Sequence, residues 1–141
     1  MTIDFSPLTR ALAGLEKSLC FLDSELARDP DLREQFRAAA IQGFEFTHEL
    51  AFKMLKRQLE VMSTAGAAVD QLSYMEVVRA AAEAGLLRDT QRFRDYREKR
   101  NITSHTYDAE QAESIVAVLP AFAADIHALL AELARRNPER A

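Results

Sequence analysis

Leu8, Leu12, Leu15, Leu19, Leu22 and Leu26 recur in alternating steps of four and three. That spacing lays one apolar stripe along an α-helix and gives the helix a side to bury. The rest of the chain repeats the message. No run alternates apolar and polar residues with period two over a useful length, so no sheet is expected. The reading is an all-α, up-and-down bundle of four to five helices with antiparallel neighbours joined by short loops. At 141 residues the chain is expected to form a single domain over 1–141, with roughly two-thirds of its unfolded surface hidden.

Helix boundaries follow from the punctuation. Ser6-Pro7 opens the first helix as cap and first-turn proline, and "ARDPD" with Pro30 closes it. Asp31 and Glu34 have capping-box spacing for a long second helix that runs to about Met62 and stops before "STAGAA". On it, Phe44, Ala51, Leu55 and Leu59 form one stripe and Phe46, Leu50 and Met54 another. So wide an apolar arc suggests burial on two sides, against the bundle and against a second subunit. Ser73 and Glu76 cap a short third helix ending near Gly85. Asp89 or Thr90 opens a basic fourth helix anchored by Phe93 and Tyr96. Asp108 and Gln111 open the last, from Ala109 to Arg135, kinked at Pro120 and followed by a frayed tail over 135–141.

Composition narrows the function. A net charge of −4 argues against a general nucleic-acid coat. The single Cys20 excludes an internal disulfide and a Cys-based zinc site, and fits a reducing cytosol. No His/Asp/Glu cluster has metal-ligand spacing. The amino terminus does not resemble a signal peptide, and the apolar stretches look too short to span a bilayer. A cytoplasmic protein without a membrane partner is expected.

The charge is uneven, however. From Arg88 to Arg100 stand six cations and three acids, immediately before the His and Tyr of "REKRNITSHTYD", Arg97 to Asp108. Arg100 and His105 are five positions apart, about 140° of helical rotation, so they share no helical face. Ile102, Thr103 and Thr106 are β-branched and Ser104 competes for backbone hydrogen bonds, so the helix is expected to loosen there before Asp108 restarts one. His105 and Tyr107 then sit at an interhelical corner beside the basic helix. Imidazole suits proton transfer near neutrality, and guanidinium grips phosphate and stabilises its transition state. Together they can cleave RNA through its own 2′-hydroxyl without a metal. One histidine cannot easily be both general acid and general base; two copies facing each other across a dimer could divide the roles.

Bland readings stand beside these. Arg88 and Arg92 read as a solvated helix face, His48 as a satisfied, partly buried histidine, and His127 as surface or interface. Glu49 and Lys53 fit an intrahelical ion pair. Tyr107 could be a staple against Ala112, and His105 could bond free helix-end carbonyls.

Arg100-Asn101-(Ile-Thr-Ser)-His105-Thr106-Tyr107 resembles the signature of HEPN-domain proteins. "GFEFTHELAFKMLKRQLE" resembles a helix of the nucleotidyltransferase substrate-binding, or HepT-like toxin, branch. The resemblance covers nearly the whole chain. It implies a homodimeric bundle with Arg100 and His105 catalytic, Asn101 and Arg97 supporting, and no cofactor. It further implies a toxin–antitoxin pair, in which a metal-independent endoribonuclease acting on RNA is neutralised when a minimal nucleotidyltransferase places AMP on Tyr107. The other reading of the branch is non-enzymatic, a subunit that binds substrate or nucleotide for a separate nucleotidyltransferase.

Overall fold

The protein was analysed as a computed structural model, which describes residues 3–62 and 66–138. It has five α-helices: α1 (Ser6–Leu22), α2 (Pro30–Met62), α3 (Tyr74–Glu83), α4 (Thr90–Asn101) and α5 (Ala109–Arg136). Short 3₁₀ turns lie at Glu25–Arg28, Gly66–Gln71 and Thr103–His105, and no strand occurs among the described residues. Residues 63–65 of "STAGAA" and 139–141 of the expected frayed tail lie outside the described residues, whereas Arg135 and Arg136 are helical.

Leu8, Leu12 and Leu15 are fully buried, and Leu19 and Leu22 pack at the core margin. The stripe ends there, earlier than the leucine spacing predicts. The Ser24 hydroxyl donates to the Phe21 carbonyl at 2.6 Å, satisfying a helix-end group that another turn would have used. Leu26 is left exposed in the 3₁₀ turn. Two caps also differ from expectation. Asp4, not Ser6, supplies the capping oxygen of α1, accepting the Ser6 N–H at 3.0 Å. Asp29 accepts the N–H groups of Asp31 and Leu32, so Asp29 caps α2 and Pro30 is its first residue, where a missing N–H costs nothing. The Ser73–Glu76 capping box is present in both directions. Gly85, at φ +82°, closes α3 with Leu86 N–H on Ala81 O and Gly85 N–H on Ala82 O.

α1 crosses α2 closely at Gly43, where a Cβ would come within 3.2 Å of Leu15 Cα. Consecutive long helices are antiparallel, but α2 and α5 run the same way. Arg33 meets Glu113, Phe44 meets Phe122, and Asn137 beyond the end of α5 meets Gln58. Phe122 is the hub: Phe44 and Tyr96 both approach it edge-on, at 4.9 and 5.0 Å between centroids. Phe93 packs edge-on against Tyr96, so the two predicted anchors of α4 hold it to α2 and α5.

α5 bends at 117–118, in the turn before Pro120, which lacks the N–H that the Val116 carbonyl would accept. Contrary to the expectation of only short apolar stretches, α5 is long and apolar enough to cross a membrane by length and composition. Its apolarity also has a use in the bundle, since Ala112, Ile115, Leu119, Phe122, Ala123, Ile126, Leu129 and Leu133 are buried along one face. On α2, Phe44, Ala51, Leu55 and Leu59 are buried as one stripe. The second stripe divides: Met54 is buried, Leu50 half-buried and Phe46 is 55% exposed.

Candidate functional site

α4 ends where the sequence first offers an alternative to helix. Thr103 is nearly buried, and its hydroxyl donates to the Arg100 carbonyl at 2.9 Å while accepting from Arg100 Nη1 at 3.0 Å. One side chain thus closes the helix and steadies its last arginine. The Thr103–His105 turn follows, with His105 N–H on Ile102 O and Asp108 N–H on His105 O. Asp108 then caps α5 by accepting the Glu110 N–H at 2.9 Å. The interhelical corner is where the residue types place it.

Two hollows flank this corner. The first, of about 480 Å³, lies between α2, α3 and the end of α4, and contains Arg97, Arg100 and Asn101 together with His48, Phe52 and Tyr74. Arg97 lies over the Tyr74 ring at 4.6 Å. Arg100 pairs with Glu45 at 3.5 Å. The second, of about 400 Å³, lies on the other side of Thr103, with Glu34, Arg37, Gln42 and Glu45 along α2 and Tyr107 at its rim. Tyr107 is 86% exposed, so it is no staple against Ala112. His105 is also exposed, with its ring edge-on to Tyr107 at 6.0 Å. Within one chain, then, Arg97, Arg100 and Asn101 share a cleft, and His105 and Tyr107 form a separate pair. Thr103 stands between them and borders both hollows.

His48 lies deeper. The Tyr74 hydroxyl donates to the Phe93 carbonyl at 2.9 Å, so its oxygen accepts from His48 Nε2, also at 2.9 Å. The ring is thereby the Nε2–H tautomer. Burial, then the charges of Arg100 and Arg97, push its pKa down to about 4. Burial likewise drives the Tyr74 phenol upward. Both groups are neutral at physiological pH, and the positive charge of the cleft belongs to its arginines and Lys53.

A pH dependence follows. The unfolded chain protonates His48 near its ordinary 6.5, while the folded chain refuses that proton until about 4. Stability from His48 is therefore full above pH 6.5 and is lost as pH falls towards 4. Urea midpoints should drop between pH 6.5 and 5 in the wild type and less so in His48→Gln. Glu76 is held below the usual carboxylate range by the Ser73 backbone. An identical profile for the two proteins would refute this assignment.

Sequence reasoning missed Phe52, Tyr74 and Glu45 as members of the site and read His48 as a merely satisfied histidine. His48 and Phe52, four apart on α2, carried a local signal; Tyr74, 26 residues beyond His48, carried none. Arg92 is not a free cation: it binds Asp125 of α5, which also accepts from Tyr96. Arg88 and Arg94 are exposed. Glu49–Lys53 and His127–Glu16 are surface pairs. Among the described residues no three His, Cys, Asp or Glu side chains are grouped to hold a metal ion.

The chain as a whole has relatives among known proteins. The family described as "Nucleotidyltransferase substrate binding protein like" matches residues 3–135. A Haemophilus influenzae protein named "Probable ribonuclease HepT" is 40% identical over 100 residues, 71% of this chain and 68% of that protein. A solved Haemophilus influenzae structure, described as having the fold of a substrate-binding domain of a nucleotidyltransferase, is 32% identical with a TM-score of 0.88. It covers 92% of this chain and 98% of its own. A Thermus thermophilus crystal structure is also 32% identical, with a TM-score of 0.66 over 89% of this chain and 98% of its own.

Proposed function

This chain belongs to the nucleotidyltransferase substrate-binding, HepT-like family, and from that premise we propose that it is a metal-independent endoribonuclease toxin of a toxin–antitoxin pair. It acts as a homodimer in the cytoplasm, and a minimal nucleotidyltransferase silences it by adenylylating Tyr107. The observation that carries the reading is the exposed His105–Tyr107 pair at the end of a cationic helix. An imidazole open to solvent can meet a substrate proton, and a phenol open to solvent can meet a second protein.

In the cleavage step the 2′-oxygen attacks the adjacent phosphorus and the bond to the 5′-oxygen breaks. A cyclic phosphate and a 5′-hydroxyl result. His105 of one subunit takes the 2′-proton and His105 of the other supplies the proton for the leaving oxygen. Arg100, with Asn101 and Arg97 in support, balances charge on the phosphorane. Control uses the neighbouring group: the Tyr107 oxygen attacks the α-phosphorus of ATP, pyrophosphate leaves, and the new phosphodiester adds negative charge and bulk beside the docking position of RNA.

The test is an intact-mass measurement after co-expression with the partner nucleotidyltransferase, followed by an RNA cleavage assay in EDTA. Wild-type protein should gain whole AMP units on the Tyr107 peptide and lose cleavage. Tyr107→Phe should gain none. Unmodified protein that leaves RNA intact would sink the nuclease reading.

One observation favours the non-catalytic alternative. Arg100 is engaged by Glu45 and Thr103, and His105 stands outside its cleft in the single chain. A binding subunit of a two-component nucleotidyltransferase would retain nucleotide affinity in His105→Ala and yield no RNA products.

A further inference from the structure

The cleft beside Arg100 contains more than a phosphate requires. Phe52 and Tyr74 are stacked at 5.1 Å with their planes 29° apart, and His48 stacks on Tyr74 at 5.5 Å. Arg97 adds a cation over the same Tyr74 ring. Phe52 is only half-buried and Arg97 is exposed, so the pile presents a flat, partly apolar, positively charged wall to the solvent. Asn101 and Ser104 supply hydrogen-bonding groups at the mouth.

Charge accounting sharpens the fit. Of the three cations, Lys53 faces Glu49 at 3.6 Å and Arg100 faces Glu45 at 3.5 Å. Arg97 forms no ion pair among the described residues. An anion entering the cleft therefore meets one guanidinium, Arg97 on the Tyr74 ring, that no carboxylate neutralises among the described residues, and a second that can exchange Glu45 for it. A flat ring carrying a phosphate satisfies both features at once. At about 480 Å³ the hollow is within the usual range for a small-molecule site.

We propose that this cleft is a subsite for one unpaired nucleotide of an RNA strand, its base against the Phe52–Tyr74–Arg97 wall and its phosphate on Arg97 and Arg100. The choice of RNA rests on the nuclease reading above. The physical consequence is selection for single strands. A base stacked and paired within a duplex cannot turn into the wall, whereas an unpaired base stacks on aromatic rings and guanidinium groups at little cost. The nucleotide held here adjoins the phosphate at Arg100, so the wall confines cleavage to unpaired positions.

The test uses fluorescein-labelled 2′-O-methyl RNA, which lacks the attacking hydroxyl and stays intact, as a single strand and annealed to its complement. Fluorescence anisotropy with wild-type protein should show the single strand binding about ten-fold tighter than the duplex. Phe52→Leu keeps most of the packing volume but removes the ring; it should weaken the single strand about ten-fold and leave the duplex unchanged. Arg97→Gln, at an exposed position, guards against a folding artefact and should weaken the single strand more than the duplex. Equal affinity for the two forms, or wild-type single-strand binding by both variants, overturns the subsite. The two readings fail separately. Unmodified RNA left intact with the binding pattern present removes the nuclease and keeps the subsite, while cleavage of single strand and duplex alike does the reverse.

Discussion

His105→Ala should lower RNA cleavage by about 10²–10⁴-fold, the usual contribution of a positioned general acid or base, and leave the fold untouched. Both halves of that result have a structural cause. His105 is exposed, and its contacts among the described residues are backbone hydrogen bonds that alanine keeps and one edge-on approach to an equally exposed Tyr107. Substitution at such a surface position ordinarily shifts stability by no more than about 0.5 kcal/mol. The rate should therefore fall while the urea midpoint stays. Affinity for an uncleavable RNA should also survive, because the cations belong to the separate cleft of Arg97, Arg100 and Lys53. Loss of binding in step with loss of cleavage would instead make His105 a docking residue.

Phe122→Ala should cost about 3–5 kcal/mol, the range for a large aromatic removed from a packed core. Against a typical total of about 5–15 kcal/mol, that is enough to endanger the native state. Phe122 is fully buried and meets Phe44 of α2, His48 of α2 and Tyr96 of α4. Its loss opens a void shared by three helices, which none can close without pulling from the others. The void also lies beneath His48 and Tyr74, so binding in the cleft should weaken even where the protein remains folded. Guanidinium denaturation curves give the first quantity and anisotropy titrations the second. Phe122→Leu, which restores most of the volume, should recover the larger part of both. A midpoint unmoved by Phe122→Ala would remove the aromatic cluster from the account of the fold.

What the sequence disclosed was local. The Ser73–Glu76 box, the Phe93 and Tyr96 anchors and the restart at Asp108 were legible because each depends on residues within one or two turns. The end of α1 was not, because Leu26 continues the leucine spacing after a single hydroxyl, Ser24, has already closed the helix. Asp29 and Pro30 read as a terminator because the same pair can end one helix or begin another; the bond that the Asp31 N–H donates to the Asp29 carboxylate decides between them. At the site, the five motif residues are neighbours in sequence and divide in space. The division is made by Thr103, whose two bonds to Arg100 turn the chain between the arginine and the histidine. The aromatic wall was beyond sequence reasoning altogether, since Tyr74 meets His48 and Phe52 only after α3 docks on α2.

The shared direction of α2 and α5 has a consequence in time as well as in space. An antiparallel pair such as α1 and α2 can close through a short turn soon after synthesis, but two parallel helices need the intervening chain to cross the full length of the bundle first. Here that crossing chain contains α3, α4 and the corner itself, and the hub that seats them, Phe122, arrives later still. A nascent chain that has delivered Arg100, His105 and Tyr107 still lacks the surface on which they are arranged. The corner that holds Arg100, His105 and Tyr107 is thus expected to be assembled late, once α5 has been synthesised.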